Sequence, residues 1–256
     1  MEINNHLLYS PEEVVEEAIK VGENKVRKPL GKLLISAILA GFFIGLGYYG
    51  YLVLAGSSTS ELHFLGKVIG SFVFPIGLVI IILAGGDLFT GNCLITFGWL
   101  GKKYRFLAVL KNWGIVYVGN FIGALLLVSL LFSAQVISGT VEMFVLNLAI
   151  TKVGLSFLEA LARGILGNIL VSLAVYLTFA AKTLGGKIAG AILPVGLFVL
   201  SGYEHSVANM FLLPYAKMLG SQITIGQMLM NLLPVTIGNI IGGAVFVPFA
   251  YFFVHK

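Results

Sequence analysis

Ionisable side chains inside long apolar segments are the residues of this sequence best suited to chemistry. Glu204 and His205 are neighbours within residues 200–209, LSGYEHSVAN, and Asp87 lies within residues 82–92, ILAGGDLFTGN. In a segment that crosses a membrane, an ionisable group usually marks a path for ions, protons or substrates. An imidazole can also take up and release a proton near neutral pH. We therefore expect His205 to face such a path.

The composition places these residues in a membrane protein. Hydrophobic residues make up 58% and charged residues 11% of the 256 positions, and the mean hydropathy is +1.00. In a soluble domain about a quarter of the residues are charged. We predict an all-α membrane protein whose net charge of +5 requires no nucleic-acid partner. The single cysteine excludes a disulfide bond within the chain.

The apolar segments predict six transmembrane helices. They run over Leu33–Leu54, Val68–Leu100, Phe106–Phe132, Ser156–Ala181, Ile188–Leu213 and Met228–Val254. Most lysines and arginines fall on the side that would carry both termini, whereas Lys67, Lys152 and Lys217 fall on the other side. Because positive charge concentrates in cytoplasmic loops, we expect a plasma-membrane protein with both termini in the cytoplasm.

The second and fifth segments are too long and too polar in their centres to be plain helices. As one α-helix, Val68–Leu100 would be about 50 Å long, whereas a hydrocarbon core about 30 Å thick needs about 20 residues. We predict that both helices break at mid-membrane and that the breaks line a pore, because only there can irregular backbone be satisfied. The residues with structural roles at the breaks would be Asp87, Gly91, Asn92, Glu204 and Asn209. We expect the two carboxylates to accept hydrogen bonds from backbone N–H groups that the breaks expose.

The two halves of the chain repeat each other. The pattern of Asn112, Gly119, Asn120 and Gly123 in the third segment returns as Asn231, Gly238, Asn239 and Gly242 in the sixth. Because each copy contains three spans, the second copy must enter the membrane from the opposite face. We predict an inverted 3+3 repeat, with repeat one at residues 33–132 and repeat two at residues 156–254.

A polar segment at residues 1–32 precedes the six-helix domain at residues 33–256. Ser10 and Glu13 have the spacing of a capping box, and Pro11 suits the first helical position. We predict that this segment forms a cytosolic amphipathic helix. The histidines other than His205 would be terminal or loop residues: His6, His63 and His255.

Three motifs carry a family resemblance. Residues 82–91 (ILAGGDLFTG), 164–174 (GILGNILVSLA) and 202–209 (GYEHSVAN) are similar to signatures of the formate/nitrite transporter family. Gly167 and Ser172 depart from the second signature, and Tyr203 stands where phenylalanine is commoner. The resemblance implies an aquaporin-like protomer and a homopentamer in membrane lipid, with a pore in each subunit. It also implies transport of small monovalent anions, namely formate, nitrite, hydrosulfide, acetate and lactate, or their conjugate acids.

The same resemblance implies roles for residues along the pore. Thr90 would face His205 at the centre, with Asn168 near the histidine and Lys152 just before the fourth span. The constrictions would be formed by Leu78, Leu88 and Phe89 on the inner side and by Phe74 and Phe198 on the outer side. The resemblance implies no metal and no cofactor.

A charged permeant would meet a large cost in an apolar constriction. Half-helix N-termini following Asn92 and Asn209 would attract the anion, and the anion would take up a proton as it loses water. We predict bidirectional, pH-dependent transport with protons, most directly of formate, with nitrite or hydrosulfide as alternatives. Arg163, which also lies within a span, would form an intrahelical pair with Glu159.

Three other functions are less consistent with the sequence. A water or glycerol channel would carry Asn-Pro-Ala at the breaks, where this chain has NCL at residues 92–94 and NMF at residues 209–211. An ammonia channel would need paired pore histidines. An intramembrane enzyme could use Glu204 and His205, but neither a His-Glu-x-x-His pair nor a Gly-x-Ser-x-Gly turn is present. We therefore predict a protein that is not an enzyme.

Overall fold

The computed structural model describes residues 7–58 and 62–256, and it builds this part of the chain from helices. The α-helices are α1 (Pro11–Val26), α2 (Leu30–Ser57), α3 (His63–Val73), α4 (Ile76–Ile80), α5 (Phe89–Asn92), α6 (Thr96–Leu100), α7 (Phe106–Ala134), α8 (Gly139–Val153), α9 (Phe157–Ala180), α10 (Leu184–Leu200), α11 (Ser206–Met218), α12 (Ile225–Ile240) and α13 (Val247–His255). Two π-helical stretches cover Ile81–Gly85 and Ile241–Phe246, and a 3₁₀ turn covers Cys93–Ile95.

Within the described residues, five continuous helical stretches are long and apolar enough to cross a membrane. They are Leu30–Ser57, His63–Gly85, Phe106–Ala134, Phe157–Ala180 and Ile225–His255. Leu184–Leu200 is apolar but shorter. Many large apolar side chains on these helices are exposed, as the bilayer allows and water does not. The protein is therefore an all-helical membrane protein with several apolar spanning helices.

The two segments that were expected to break leave the helical conformation at glycines. After Ile81–Gly85 the chain turns through Gly85, whose φ is +92°, and helix resumes at Phe89. After α10 it turns through Gly202, whose φ is +68°, and helix resumes at Ser206. Positive φ angles cost little only for glycine, so these two positions determine where each helix ends. We call residues 86–88 the first break and residues 201–205 the second break.

Helix α1 begins with the predicted capping box. The Glu13 carboxylate accepts the Ser10 N–H at 2.7 Å, and the Ser10 hydroxyl accepts the Glu13 N–H at 3.3 Å. Its apolar face, which includes Val15 and Ile19, is buried against Phe97 and neighbouring residues. Helix α1 thus packs against α6, α9 and α13.

Helix α8 is the main difference from the sequence-based expectation, which left residues 133–155 as an outer loop. This stretch forms a helix over Gly139–Val153 and buries Val145 and Ala149. It is too short to span a bilayer, which is why hydropathy alone did not reveal it. Helices α1 and α8 end alike, on the pairs Lys25-Val26 and Lys152-Val153.

Close approach through glycine joins equivalent helix pairs. Gly123 of α7 lies against the carbonyl of Ile38 on α2, and a Cβ there would collide with it. Gly242, which follows α12, lies in the same way against the carbonyl of Ile165 on α9. Small residues allow such close packing of membrane helices. Of the three peripheral histidines, His6 lies outside the described residues, His63 starts α3 rather than lying in a loop, and His255 ends α13.

Candidate functional site

Two cavities lie against the two breaks. The larger, about 400 Å³, has walls that include Tyr48, Lys67, Phe74, Lys152, Arg163, Phe198, Glu204, His205 and Asn209. The smaller, about 250 Å³, has walls that include Lys25, Lys28, Leu78, Gly85, Leu88, Asn92 and Val175. We call them the Lys152 cavity and the Lys25 cavity. The second break lies against the Lys152 cavity, and the first break lies against the Lys25 cavity.

The centre of the site is a hydrogen bond between the two breaks. Thr90 Oγ1 and His205 Nε2 are 2.8 Å apart, and both side chains are buried. His205 Nδ1 accepts the Ala208 N–H at 3.0 Å and so caps helix α11. An accepting Nδ1 carries no proton, so the neutral imidazole has its proton on Nε2 and donates it to Thr90 Oγ1. Protonation of Nδ1 would remove this cap, so the geometry favours the neutral ring.

Asn168 holds the backbone beside this pair. Its amide donates to the carbonyl of Thr90 at 3.3 Å and to the carbonyl of Asn239 at 2.6 Å. Ser172, one turn further along α9, donates to the Thr90 carbonyl at 3.5 Å. The structure therefore brings Asn168 close to Thr90 and the central histidine, and it does so through main-chain contacts.

The first break is held by a carboxylate with two cations. Asp87 Oδ1 accepts from Lys25 Nζ at 2.9 Å, while Oδ2 accepts from Lys28 and, at 2.6 Å, from the Ser36 hydroxyl. Lys25 Nζ donates a second bond, 2.6 Å long, to Asn92 Oδ1. The Asn92 amide in turn donates to Asp87 Oδ1 at 3.2 Å and to Asn112 Oδ1 at 2.9 Å. Every oxygen of this network has a donor.

The second break repeats the arrangement with one cation. Glu204 Oε1 accepts from Lys152 Nζ at 2.6 Å, and Oε2 accepts from the Asn209 amide at 2.6 Å. The Asn209 amide also donates to Asn231 Oδ1 at 2.8 Å. Asn209 Oδ1 is buried, and no donor reaches it among the described residues.

Asparagine side chains, rather than the carboxylates, satisfy the backbone of the breaks. Asn120 accepts the Phe89 N–H at 2.8 Å and donates to the Asp87 carbonyl at 2.9 Å. Asn239 likewise accepts the Ser206 N–H at 2.8 Å and donates to the Glu204 carbonyl at 3.0 Å. The expectation that the two carboxylates accept backbone N–H groups was therefore wrong. A buried carboxylate needs a cation, whereas an amide side chain can donate and accept at once.

The helices that follow the breaks begin earlier than expected. They start at Phe89 and Ser206, so Asn92 and Asn209 lie inside the first turn rather than before it. The first N–H of each helix is bonded to an asparagine side chain and is not free for a ligand.

Apolar side chains line both cavities near the central hydrogen bond, and His205 itself lines the Lys152 cavity. The rings of Phe74 and Phe198 meet edge to face at 5.6 Å on the side of the Lys152 cavity, and Phe198 lies 5.8 Å from the His205 ring. Leu78 and Leu88 are buried in the wall of the Lys25 cavity. Phe89 instead points toward α7, where its ring packs 4.9 Å from that of Tyr117.

The cations show what sequence reasoning missed. Lys152 lies in the last turn of α8 and is paired with Glu204, not in a loop. Lys25 and Lys28 were not singled out from the sequence, although a Lys-Val pair, at residues 25–26 and 152–153, ends both α1 and α8. The expected pair of Arg163 with Glu159 does not form, because the Glu159 carboxylate accepts from the Ser156 N–H at 2.9 Å and the Ser156 hydroxyl at 2.7 Å.

Comparison with known proteins places this geometry in a family. The family model described as Formate/nitrite transporter matches residues 12–253. The chain is similar to an uncharacterized transporter, YrhG, of Bacillus subtilis, with 39% identity over 96% of this chain and 93% of the relative. It is 34% identical to the formate channel FocA of Escherichia coli, over 97% of this chain and 95% of FocA.

Solved structures agree with these sequence relatives. A structure described as a pentameric formate channel with formate bound has 32% identity and a TM-score of 0.78, over 88% of this chain and 97% of that chain. An FNT family ion channel has a TM-score of 0.85 at 24% identity, over 96% and 98% of the two chains, and shares the fold. The chain therefore belongs to the formate/nitrite transporter family, a family of membrane channels and transporters rather than enzymes.

Proposed function

We propose that this protein is a channel for small monovalent weak-acid anions, with formate as the leading substrate and nitrite or hydrosulfide as alternatives. The observation that carries the proposal is the Thr90–His205 hydrogen bond, 2.8 Å long, placed between two cavities that each contain lysines. The path runs from the Lys152 cavity past Phe74 and Phe198 to this hydrogen bond. It continues past Leu78 and Leu88 to the Lys25 cavity.

The charges of both cavities favour anions. In the Lys25 cavity, Lys25 and Lys28 share one carboxylate, Asp87, whose side chain is 0% exposed. In the Lys152 cavity, Lys152 is paired with Glu204, while Arg163 adds further positive charge to the wall. Cation channels present rings of carboxylates, whereas anion pores present lysine and arginine. Each cavity therefore concentrates anions at its end of the path.

The constrictions between the cavities favour the neutral acid. An unpaired charge among the phenyl rings and leucines would cost many kcal/mol, and an anion that loses water gains affinity for a proton. The neutral His205 ring and the Thr90 hydroxyl offer the permeant hydrogen-bond partners, and the ring would take up one proton from cavity water for each proton that it passes to the anion. The proposal therefore includes bidirectional transport that rises as the pH on the anion side falls.

The architecture we propose is an inverted 3+3 repeat of six membrane-crossing segments, aquaporin-like, with both breaks at mid-membrane. It is supported by the paired sets at the breaks, in which Asp87, Asn92 and Lys25 correspond to Glu204, Asn209 and Lys152. The glycine contacts between equivalent helices agree with it. Helix α1 and α8 then belong to the repeat as its short leading helices. The six membrane-crossing segments then lie in the channel domain at residues 33–256, and the N-terminal segment at residues 1–32 does not cross the bilayer.

The assembly we propose is a homopentamer in the plasma membrane, with one pore in each subunit and both termini in the cytoplasm. The relative described as a pentameric formate channel supports the subunit number. The orientation rests on the distribution of lysine and arginine along the chain. Acetate and lactate are further candidates for transport as weak acids of the same charge.

The test is formate flux into liposomes that contain the purified protein alone. We expect flux that increases as the external pH is lowered, with competition by nitrite or hydrosulfide ranking the substrates. His205→Ala should lower the flux at least about tenfold and flatten the pH profile, since proton exchange by a placed side chain is worth about this much or more.

The matched control is His63→Ala, which removes a histidine remote from both breaks. It should leave the flux and its pH dependence unchanged. Wild-type protein that carries no weak-acid anion would refute the channel function, and an unaltered His205→Ala profile would refute the role of the histidine.

A further inference from the structure

We propose that Arg163 forms a second anion-binding position, in the Lys152 cavity and separate from the central Thr90–His205 pair. Its ligand would be a small planar anion with two equivalent oxygens, such as a carboxylate. The proposal rests on the proposed channel function and adds the residue that selects the anion at one face of the protein.

The main chain places Arg163 beside the second break. Its carbonyl accepts the Glu204 N–H at 3.1 Å, and the next turn of α9 approaches so closely that a Cβ on Gly167 would collide with the Glu204 carbonyl. The Arg163 side chain therefore starts at the wall of the Lys152 cavity, which it lines together with Lys152 and His205.

The guanidinium is available because its neighbours are already paired. Glu159, one turn earlier, uses its carboxylate to cap α9 at Ser156. Glu204 is held by Lys152 and the Asn209 amide. Within residues 7–58 and 62–256, no carboxylate oxygen lies within 4.0 Å of the Arg163 guanidinium, and the side chain is half-buried.

The counterpart position in the other half has a different task. Ser36, whose carbonyl accepts the Asp87 N–H at 3.2 Å as that of Arg163 accepts from Glu204, donates its hydroxyl to the carboxylate of the break at 2.6 Å. Support of the break thus needs only a small donor at this position. Arg163 instead has a long cationic side chain, and this side chain lines the Lys152 cavity.

The chemistry of the guanidinium defines the ligand. Its planar fork offers two parallel N–H groups that match the two oxygens of a carboxylate, whereas an ammonium acts as a point charge. Formate, nitrite and acetate can accept both bonds, but hydrosulfide has one acceptor atom. Arg163 should therefore favour two-oxygen anions at the Lys152 cavity.

The experiment compares Arg163→Gln and Arg163→Lys with the wild type in formate and hydrosulfide flux, measured from each face. Intact cells present one face of the protein and inverted membrane vesicles the other. We expect Arg163→Gln to raise the half-saturating formate concentration about tenfold or more at the face of the Lys152 cavity and not at the other, since a charge-assisted hydrogen bond is worth about this much. Arg163→Lys should keep the hydrosulfide value but raise the formate value.

The control is Lys67→Gln, which removes a positive charge from the exposed rim of the same cavity. At physiological salt it should change both anions less than about twofold, because screening weakens exposed charges. A lower maximal rate from both faces with unchanged half-saturation would mean that Arg163 is structural and would overturn the proposal, as would equal effects of Arg163→Lys on the two anions. Wild-type membranes without formate flux would instead overturn the channel function.

Discussion

The first and second breaks use the same parts but differ in how completely those parts are paired. At the first break, Lys25 donates to both Asp87 and Asn92, and Lys28 adds a second cation. At the second break, Lys152 donates only to Glu204 among the described residues, so its ammonium keeps unused N–H groups. The first break thus has a network in which every carboxylate and amide oxygen has a donor, whereas the second retains more hydrogen-bonding capacity beside a cavity of about 400 Å³.

The side-chain oxygen of Asn209 shows the same difference in pairing between the two breaks. Its counterpart, Asn92 Oδ1, takes a 2.6 Å bond from Lys25, whereas Asn209 Oδ1 has no donor in the described part of the chain. Buried polar atoms without partners are uncommon and need a reason. The unpaired oxygen marks the second break as the less completely paired of the two.

Removal of the lysine at each break should have the largest and most unequal effects. Lys152→Met leaves Glu204 buried without a cation and should cost about 3–5 kcal/mol of stability. Lys25→Met leaves Lys28 on Asp87 and should cost about 1–3 kcal/mol. Thermal unfolding of the two purified variants measures the difference.

The double variant Lys152→Met with Glu204→Gln sharpens this test. It should regain much of the stability, because no buried charge is left unpaired, but it should not regain formate flux if Lys152 also receives the anion. Equal losses of stability in Lys152→Met and Lys25→Met would show that the second cation, Lys28, does not compensate for the loss of Lys25 at the first break.

The asparagines should show the same asymmetry on a smaller scale. Asn92→Leu removes the acceptor for Lys25 as well as the donor to Asp87, whereas Asn209→Leu removes a donor and an oxygen that has no protein partner. We expect Asn92→Leu to be more destabilising by about 1 kcal/mol, the net value of one hydrogen bond. Chemical denaturation of both variants in the same detergent checks the ranking, and a larger loss for Asn209→Leu would reverse it.

The smallest expected effect concerns the helices that carry the two lysines. Helix α1 is joined to the C-terminus by Glu16 and Lys256, 2.8 Å apart and exposed. The hydrogen bond from Lys256, together with its charge, lowers the pKa of the Glu16 carboxyl below its usual 4.5. A lowered pKa stabilises docking above pH 4.5, and this stabilisation is lost as the pH falls through the lower, folded-state pKa.

Hydrogen exchange of α1 at decreasing pH measures this loss. Amide protection in α1 should fall slightly in acid, while α8, whose ion pair among the described residues is the buried one between Lys152 and Glu204, serves as the internal reference. Lys256→Gln should remove the pH-dependent part and leave α8 unaffected. Protection of α1 that responds to acid equally in Lys256→Gln would exclude the pair as its cause.

Much of the site could be predicted because its signals are local. Gly85 and Gly202 are needed where φ is positive, so they showed where helices would end. Thr90 and His205 were placed opposite each other by family resemblance, and the structure brings them to 2.8 Å. The direction of the Phe89 side chain could not be predicted, because an apolar residue in a membrane segment can face lipid, protein or a pore.

By itself the sequence determined the membrane class, the interrupted segments, the internal repetition and the central histidine, since each follows from composition or from spacing along the chain. Only the tertiary structure decided which charges meet. Lys25 and Asp87 are 62 positions apart, and Lys152 and Glu204 are 52 apart, far beyond the three or four residues over which helical spacing predicts a contact. Their pairing depends on how the short helices α1 and α8 dock, and a buried carboxylate accepts whichever cation that docking brings to it, because it cannot remain unpaired away from water.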